Sequence, residues 1–197
     1  MRIVAIDFEA SCLPCHGRSF PIEVGIAETS AAARSWLIRP HAAWRGWDWT
    51  AEAERLHGIS HQRLLAEGGP VDAVVSELVE AIGDARVFAD SHLDAAWMGT
   101  LARAAGVPPI AIGHVEELVA RAGASDEELR KTVEAADRLP VGRHRAGDDA
   151  RWLRGLIDGL LALPRPSIAE APLFGWDQGR RVDAGRHRDD RIATPCA

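Results

Sequence analysis

The sequence lacks any apolar run approaching the roughly 18 to 20 residues that a helix needs to cross a bilayer. Its first residues also lack the layout of a signal peptide, because Asp7 interrupts the apolar stretch after four residues, 3–6. Both absences argue against a membrane protein and against export. We therefore expect a soluble protein of the cytoplasm.

Basic residues are fewer than acidic ones, and lysine is nearly absent. The 197-residue chain has a formal net charge of −6, and Lys131 is the only lysine among its 23 basic residues. An acidic balance argues against a protein that coats long duplex DNA. It leaves room for an enzyme that grips the last few nucleotides of a strand, because bound cations can supply positive charge locally. The charge thus favours short or single-stranded ends among nucleic-acid substrates.

Cysteine is limited to three residues, two of which form a recognisable string. Residues 12–16, Cys-Leu-Pro-Cys-His, match the C-x-x-C-H pattern of c-type haem attachment, and C-x-x-C alone also occurs in redox and zinc sites. Haem attachment accompanies export, and the only candidate axial methionines are Met1 and Met98. A zinc site needs a second ligand pair, for which Cys196 is a poor partner. We favour an incidental loop pair.

Alternating strand and helix patterns predict an α/β fold in one domain over residues 1–164. The strands are predicted over 2–8, 21–29, 34–39, 86–89 and 110–112. Short connections between the first three predict an antiparallel meander, and hence a mixed sheet. The helices are predicted over 50–56, 60–66, 70–82, 92–105, 115–120, 126–138 and 146–163. Residues 165–197 lose this periodicity and predict a partly disordered C-terminal tail.

Two acids stand at the end of the first predicted strand. Asp7 and Glu9 are two residues apart, so in a strand their carboxylates project from the same face. Two like charges on an apolar strand repel each other and are costly to desolvate. A shared cation removes both costs, whereas a strand that ends by residue 7 would leave both acids solvated.

A third acid begins the fourth helix. At helical spacing Asp94 shares its face with Trp97, Met98 and Leu101, so it is predicted to point inward as a ligand. Asp90 precedes that helix, and for it we favour a cap or turn role.

The last chemical segment runs from His144 to Asp149. Asp149 is in register with the apolar face of the final helix, at 152, 153, 156, 157 and 160, and is predicted to face inward. His144 precedes the helix, where a loop could carry its imidazole to the same cavity. Histidine titrates near neutral pH and is suited to accept a proton from water. A surface histidine among arginines is the alternative.

Together these elements bring four carboxylates and a histidine towards one cavity. Four carboxylates with about four negative charges call for roughly two divalent cations, and oxygen ligands favour Mg²⁺ or Mn²⁺ over zinc. Two such ions can promote phosphodiester hydrolysis by activating water and stabilising the leaving oxygen. The sequence therefore predicts a two-ion phosphodiesterase site.

The motifs, in this order, resemble those of the DEDDh exonuclease family. The D-x-E motif stands at residues 7–9. The second motif, usually H-N-x-x-F-D, is Ala-Asp-Ser-His-Leu-Asp at 89–94, and the third, H-x-x-x-x-D, spans 144–149. Residues 21–25, Pro-Ile-Glu-Val-Gly, and 56–60, Leu-His-Gly-Ile-Ser, are further landmarks. The resemblance covers about residues 2–160.

The resemblance implies a ribonuclease H-like fold, with a mixed five-stranded sheet whose second strand is antiparallel and helices on both faces. It implies Asp7, Glu9, Asp94 and Asp149 as metal ligands for two Mg²⁺ or Mn²⁺ ions, and His144 as the general base. It also implies a substrate wall that borders the terminal nucleotide, with Phe8, Ala10 and Ser11 on one side and His57 and Ile59 on the opposite side. Phe8 could equally belong to the core.

The expected activity is 3′→5′ removal of nucleoside 5′-monophosphates from single-stranded DNA or RNA. A catalytically inactive nucleic-acid or partner-binding module on the same fold is the alternative, and a haem or redox protein built on the cysteine pair is a second. The tryptophans of residues 44–49 fit core and loop packing better than base stacking. Relatives in the family are often dimers, and the sequence leaves a homodimer open.

Overall fold

The computed structural model describes residues 2–142 and 144–164, which are arranged around a five-stranded sheet with strand order β3-β2-β1-β4-β5. β1 pairs antiparallel with β2 and parallel with β4, while β3 is antiparallel to β2 and β5 parallel to β4. The predicted mixed sheet with an antiparallel second strand is confirmed. The strands are β1 (Ile3–Ala10), β2 (Pro21–Thr29), β3 (Ala32–Leu37), β4 (Arg86–Ala89) and β5 (Ile112–His114).

Two strands lie about two residues from their predicted positions. β3 begins at Ala32, because the tight turn after Thr29 pairs that residue directly with Ala32. β5 begins at Ile112, where the chain first pairs with Val87 of β4. Its position is hard to predict from the sequence because it contains Gly113, and glycine is depleted in strands. The strand needs it there, because a Cβ atom would lie 2.9 Å from the Phe88 ring.

Seven helices connect and cover the strands within the described residues. Each predicted helix is present, with ends that differ from the prediction by two residues or fewer. They are α1 (Ala51–His57), α2 (His61–Glu67), α3 (Val71–Ile82), α4 (His92–Ala105), α5 (Glu116–Ala122), α6 (Asp126–Asp137) and α7 (Ala146–Ala162). None of these helices is long and apolar enough to cross a membrane.

The side chains of β1 alternate between two hydrophobic clusters, one on each face of the sheet. Val4, Ile6 and Phe8 pack with α3 and α4. Ile3 and Ala5 pack with α5, α6 and α7 on the opposite face. Helices therefore cover both faces, and the C-terminal end of this central strand is enclosed from two sides.

The tryptophan-rich segment after β3 belongs to the protein interior. Trp44 is 4% exposed, and its ring stacks on Phe20 with 5.4 Å between centroids. Trp47 and Trp49 are partly buried and pack against the same cluster. The interpretation of this segment as core and loop packing is confirmed.

Two further predictions concern the cysteine pair and the C-terminal tail. The Cys12 thiol is buried, whereas Cys15 is exposed on a short 3-10 turn, Pro14–His16. Within the described chain, no group of three potential metal ligands contains either cysteine. The C-terminal tail predicted at 165–197 lies outside the described residues.

Candidate metal centre

Asp7 and Glu9 lie on the face of β1 that α7 covers. Ile3 and Ala5 occupy that face earlier in the strand, and the two-residue period carries it on to both acids. The antiparallel partner strand continues past them, pairing Asp7 with Gly25 and Glu9 with Glu23. The acids are thus held in the strand, which contradicts the alternative of solvated loop residues.

The four predicted ligands form two groups that share Asp7. In one group, carboxylate oxygens of Asp7, Glu9 and Asp149 lie within 4.8 Å of one another. The other group contains Asp7, Asp94 and Asp90, at the same spacing. Oxygen-rich groups of this kind suit hard cations such as Mg²⁺ and Mn²⁺. Because Asp7 belongs to both groups, its carboxylate could be shared by two neighbouring ions.

Asp94 shows why the arrangement fits a cation. The residue is 1% exposed, because α4 packs its inward face against the sheet as its apolar spacing predicts. The backbone N–H of Phe8 donates to Asp94 Oδ1 at 3.1 Å. The other oxygen, Oδ2, is buried and has no hydrogen-bond partner among the described residues. A buried carboxylate oxygen without a donor is costly, and a bound cation would satisfy it.

Asp90 corrects the sequence interpretation. The N-cap of α4 is Ser91, whose side chain accepts from the N–H of Leu93, so of the cap or turn role predicted for Asp90 the cap is wrong and the turn is right. Asp90 lies in the turn before the helix, but its carboxylate belongs to the group of Asp7 and Asp94. Short polar residues at a helix start are usually caps, and nothing in the sequence separates the two roles.

The electrostatics of the protein without metal are unfavourable at this centre. Burial, followed by the negative charges of Asp94, Glu9 and Asp149, raises the pKa of Asp7 well above its ordinary value. Burial, and then the charge of Asp90, raises the pKa of Asp94 as well. Burial and Asp149 raise the pKa of Glu9 to about 8. The ionised centre thus requires positive charge that the protein itself does not supply in full.

We expect a metal-dependent stability that grows with pH. The pKa of Glu9 rises from 4.5 to about 8 in the folded protein, so its contribution to stability is present below about pH 4.5 and is lost as the pH rises through about 8. The melting temperature of EDTA-treated protein should fall over this window. At pH 8, excess Mn²⁺ should restore it by about 3 °C or more.

Thermal melts across pH, with EDTA or Mn²⁺, measure this effect. Glu9→Gln removes the titrating group and should flatten the metal-free profile. A melting temperature that does not change when Mn²⁺ is added at pH 8 would contradict a cation centre at these carboxylates.

A charged brace on β2 fixes the segment that carries His144 and Asp149. Glu23 is 1% exposed and accepts from the Arg145 guanidinium at 2.7 and 3.0 Å and from the N–H of Ala146 at 3.2 Å. The N–H of Arg145 in turn donates to Asp149 Oδ2 at 3.1 Å. The brace therefore sets the start of α7 and one carboxylate oxygen of the centre.

Gly25 permits this close approach. A Cβ atom at this position would lie 2.2 Å from the carbonyl carbon of Ala146, so only glycine lets the first turn of α7 rest on β2. The partnership of Glu23 with Arg145 was not predicted from the sequence, although residues 21–25 stood out as a landmark. A charged residue in an otherwise apolar strand was the available signal.

Breaking the brace is expected to destabilise the fold. Arg145→Met leaves the Glu23 carboxylate buried with only one donor. Because the Arg145 side chain is 37% exposed, we expect the free energy of unfolding to fall by about 2 kcal/mol, which is less than for a fully buried pair. The melting temperature should fall by about 4–8 °C.

Arg63→Met is the matched control. The Arg63 side chain is also 37% exposed, but its partner Glu67 is 57% exposed, so we expect a loss below about 1 kcal/mol. Equal losses in the two variants, measured by urea unfolding, would show that the brace adds nothing beyond an ordinary surface pair.

His144 lies in the segment just before α7, and its backbone has a positive φ of 58°. Such a conformation is uncommon for a residue with a side chain and raises the question of a functional constraint. The side chain is half-buried. The next residue, Arg145, is held by Glu23, so the brace anchors the chain directly after His144.

The predicted substrate wall is largely buried. Phe8 belongs to the hydrophobic core, and Ser11 Oγ accepts from the N–H of Phe20 at 3.1 Å. Ile59 is fully buried, and its N–H donates to His57 Nδ1 at 3.0 Å. Ala10 is 8% exposed. Contact of these residues with a nucleotide stays a prediction.

Among these residues, His57 has a buried ring nitrogen without a hydrogen-bond partner in the described part of the chain. Its Nδ1 is occupied as an acceptor, so the proton of the neutral ring resides on Nε2. That Nε2 is buried and has no hydrogen-bond partner among the described residues. Burial also lowers the pKa of His57 to about 4, so the ring is neutral at physiological pH.

Solved structures with this fold are found among exonucleases. Exonuclease I from Methylocaldum szegediense has a TM-score of 0.59 and 12% identity, covering 84% of this chain and 41% of that chain. E. coli exonuclease I in complex with a dA16 oligonucleotide has a TM-score of 0.58 and 12% identity, covering 81% and 40%. S. pombe Pop2p in its Mg²⁺- and Mn²⁺-bound form has 0.55 and 12%, covering 80% and 81%.

No protein-family model and no curated protein sequence matches the chain. At these identities the structural likeness establishes the fold alone, which the chain shares with the exonuclease I structures and Pop2p. The chain spans about 40% of the length of the two exonuclease I chains. The resemblance that the motifs predicted is confirmed at the level of the fold.

Proposed function

We propose that the chain is a DEDDh-type, metal-dependent 3′→5′ exonuclease that hydrolyses the terminal phosphodiester bond of single-stranded DNA or RNA. The observation that carries the proposal is the pair of carboxylate groups that share Asp7 at the end of the central strand. The fold that the chain shares with exonucleases gives the proposal further, weaker support, because one fold can serve several functions.

Asp7, Glu9, Asp94 and Asp149 are the residues proposed to hold two Mg²⁺ or Mn²⁺ ions, and Asp90 is within reach of the second group. When bound, such ions supply electrostatic stabilisation of the charge that develops on the phosphate and the leaving oxygen. The buried, unpaired Oδ2 of Asp94 and the raised pKa values of Asp7 and Glu9 support cation binding here. Pop2p, with the same fold, is known in a Mg²⁺- and Mn²⁺-bound form.

His144 is the proposed general base. It takes a proton from the attacking water, the water oxygen bonds to the terminal phosphorus, and the bond from phosphorus to the 3′-oxygen breaks. The products are a nucleoside 5′-monophosphate and a strand shortened by one residue. The position of His144 just before the helix that bears Asp149 supports this role, because one short segment then places both groups.

The proposed substrate is the 3′ end of a single strand. His57 Nε2–H is a buried donor with no partner among the described residues, and a phosphate or ribose oxygen would satisfy it. The end of β1 after Asp7 and the segment 57–59 would then border the last nucleotide. E. coli exonuclease I is known in complex with a dA16 oligonucleotide, and its fold is the one described above.

Incubation with 5′-labelled single-stranded DNA and RNA tests the proposal. With Mg²⁺ or Mn²⁺ the label should move down a ladder as nucleotides leave the 3′ end, and EDTA should stop the reaction. The ratio of DNA to RNA rates ranks the two substrates. Strands that are bound but remain intact under every metal would contradict the proposal and favour the inactive binding module.

A further inference from the structure

A second group of potential metal ligands lies outside the carboxylate centre. His92 is the first residue of α4, His114 the last of β5 and Glu116 the first of α5. One ligand atom from each lies within 4.8 Å of the other two. The imidazole rings of His92 and His114 stack with 4.1 Å between centroids and 22° between planes. Histidine is the commonest metal ligand among protein side chains.

The hydrogen bonds of His114 fix its tautomer in a metal-binding form. His114 Nε2 lies 3.0 Å from the backbone carbonyl oxygen of Asp90, and a carbonyl can only accept, so Nε2 bears the proton. The N–H of Glu116 donates to Nδ1 at 3.3 Å, which confirms that Nδ1 carries a lone pair. Metal-binding histidines usually donate their other ring N–H to a carbonyl or carboxylate in this way.

The Nδ1 lone pair of His114, which accepts from the N–H of Glu116, also lies near the Glu116 carboxylate, so an ion bound at Nδ1 would replace that 3.3 Å hydrogen bond. Nδ1 and Glu116 Oε2 are 3.4 Å apart, and neither atom can donate to the other when Nε2 bears the proton. A cation between them would convert this contact into a favourable one. His92 and Glu116 are exposed, so an ion can enter from solvent.

We propose that His92, His114 and Glu116 bind a borderline transition-metal ion of the Zn²⁺ class. Two imidazoles and one carboxylate suit Zn²⁺ and its neighbours, whereas Mg²⁺ prefers oxygen ligands alone. With three protein ligands, a fourth position is left for water. The ion joins the starts of α4 and α5 to the end of β5, and His114 extends this link to the backbone of Asp90. The proposal does not rest on the reaction at the carboxylate centre.

Co²⁺ is the probe, because its visible absorption reports nitrogen ligands. Full-length protein is titrated in excess Mg²⁺, in an Asp7→Asn background that removes the residue common to both carboxylate groups. We expect one equivalent of Co²⁺ to bind and Zn²⁺ to displace it. His92→Ala and His114→Gln should each weaken binding at least about a hundredfold. The glutamine amide can still donate to the Asp90 carbonyl, which protects the fold.

His61→Ala is the control, since His61 is an exposed histidine outside the three ligand groups of the described chain, and it should bind Co²⁺ like the parent. Zn²⁺ should also raise the melting temperature of the parent by about 3 °C or more, but not that of His92→Ala. Co²⁺ binding that is equally tight in both histidine variants, or no bound Co²⁺ in the parent, overturns the proposal.

Discussion

Asp7→Asn is expected to lower the rate of 3′-end hydrolysis at least about a thousandfold. Asp7 is the residue common to both carboxylate groups, so its loss weakens two ion sites at once. The ions contribute several kcal/mol to stabilising the reaction's charge, and each 1.4 kcal/mol corresponds to about a tenfold change in rate. Asparagine keeps the shape of the side chain, which separates the loss of charge from a packing defect.

Asp72→Asn provides the control for this experiment. Asp72 is an exposed acid in the first turn of α3, and its replacement should leave the rate unchanged. Isothermal titration with Mn²⁺ should show loss of binding in Asp7→Asn alone. An Asp7→Asn protein that hydrolyses strands at the parent rate would remove these carboxylates from the reaction.

His144→Ala is expected to lower kcat by about a hundredfold to ten-thousandfold, the range for loss of a general base. Mn²⁺ affinity should stay at the parent value, because His144 belongs to neither carboxylate group of the described chain. The substitution thus separates proton transfer from metal binding. Added imidazole should restore part of the activity, since a small base can occupy the vacated space.

His41→Ala serves as the matched control, because His41 is also a half-buried loop histidine. It should retain the parent kcat. If His144→Ala retains it too, or if its whole loss follows a loss of Mn²⁺ binding, His144 is not the base.

Much of the fold could be predicted from local patterns in the sequence. β2 and β4 are apolar runs bounded by breaks, and α4 has a serine cap, so their limits agree with prediction. The inward positions of Asp94 and Asp149 follow from helical spacing alone. Helical spacing thus predicted that these two acids turn towards the sheet, because each lies in the first turn of a helix whose apolar face must be buried.

The remaining features depend on contacts between distant segments. Asp90 reads as a helix cap, and only the packing of α4 against β1 brings it to Asp7. The partnership of Glu23 with Arg145 joins residues 122 positions apart. The stacked pair of His92 and His114 likewise depends on the parallel register of β4 and β5, which a glycine-containing strand conceals.

The most direct test of the exonuclease mechanism is mass spectrometry of products released from a single strand in H₂¹⁸O with Mn²⁺. Attack of water on the terminal phosphorus, with departure of the 3′-oxygen, predicts nucleoside 5′-monophosphates that carry one ¹⁸O in the phosphate. The products should appear one nucleotide at a time from the 3′ end. Internal fragments, 3′-monophosphates or an intact strand would contradict the mechanism.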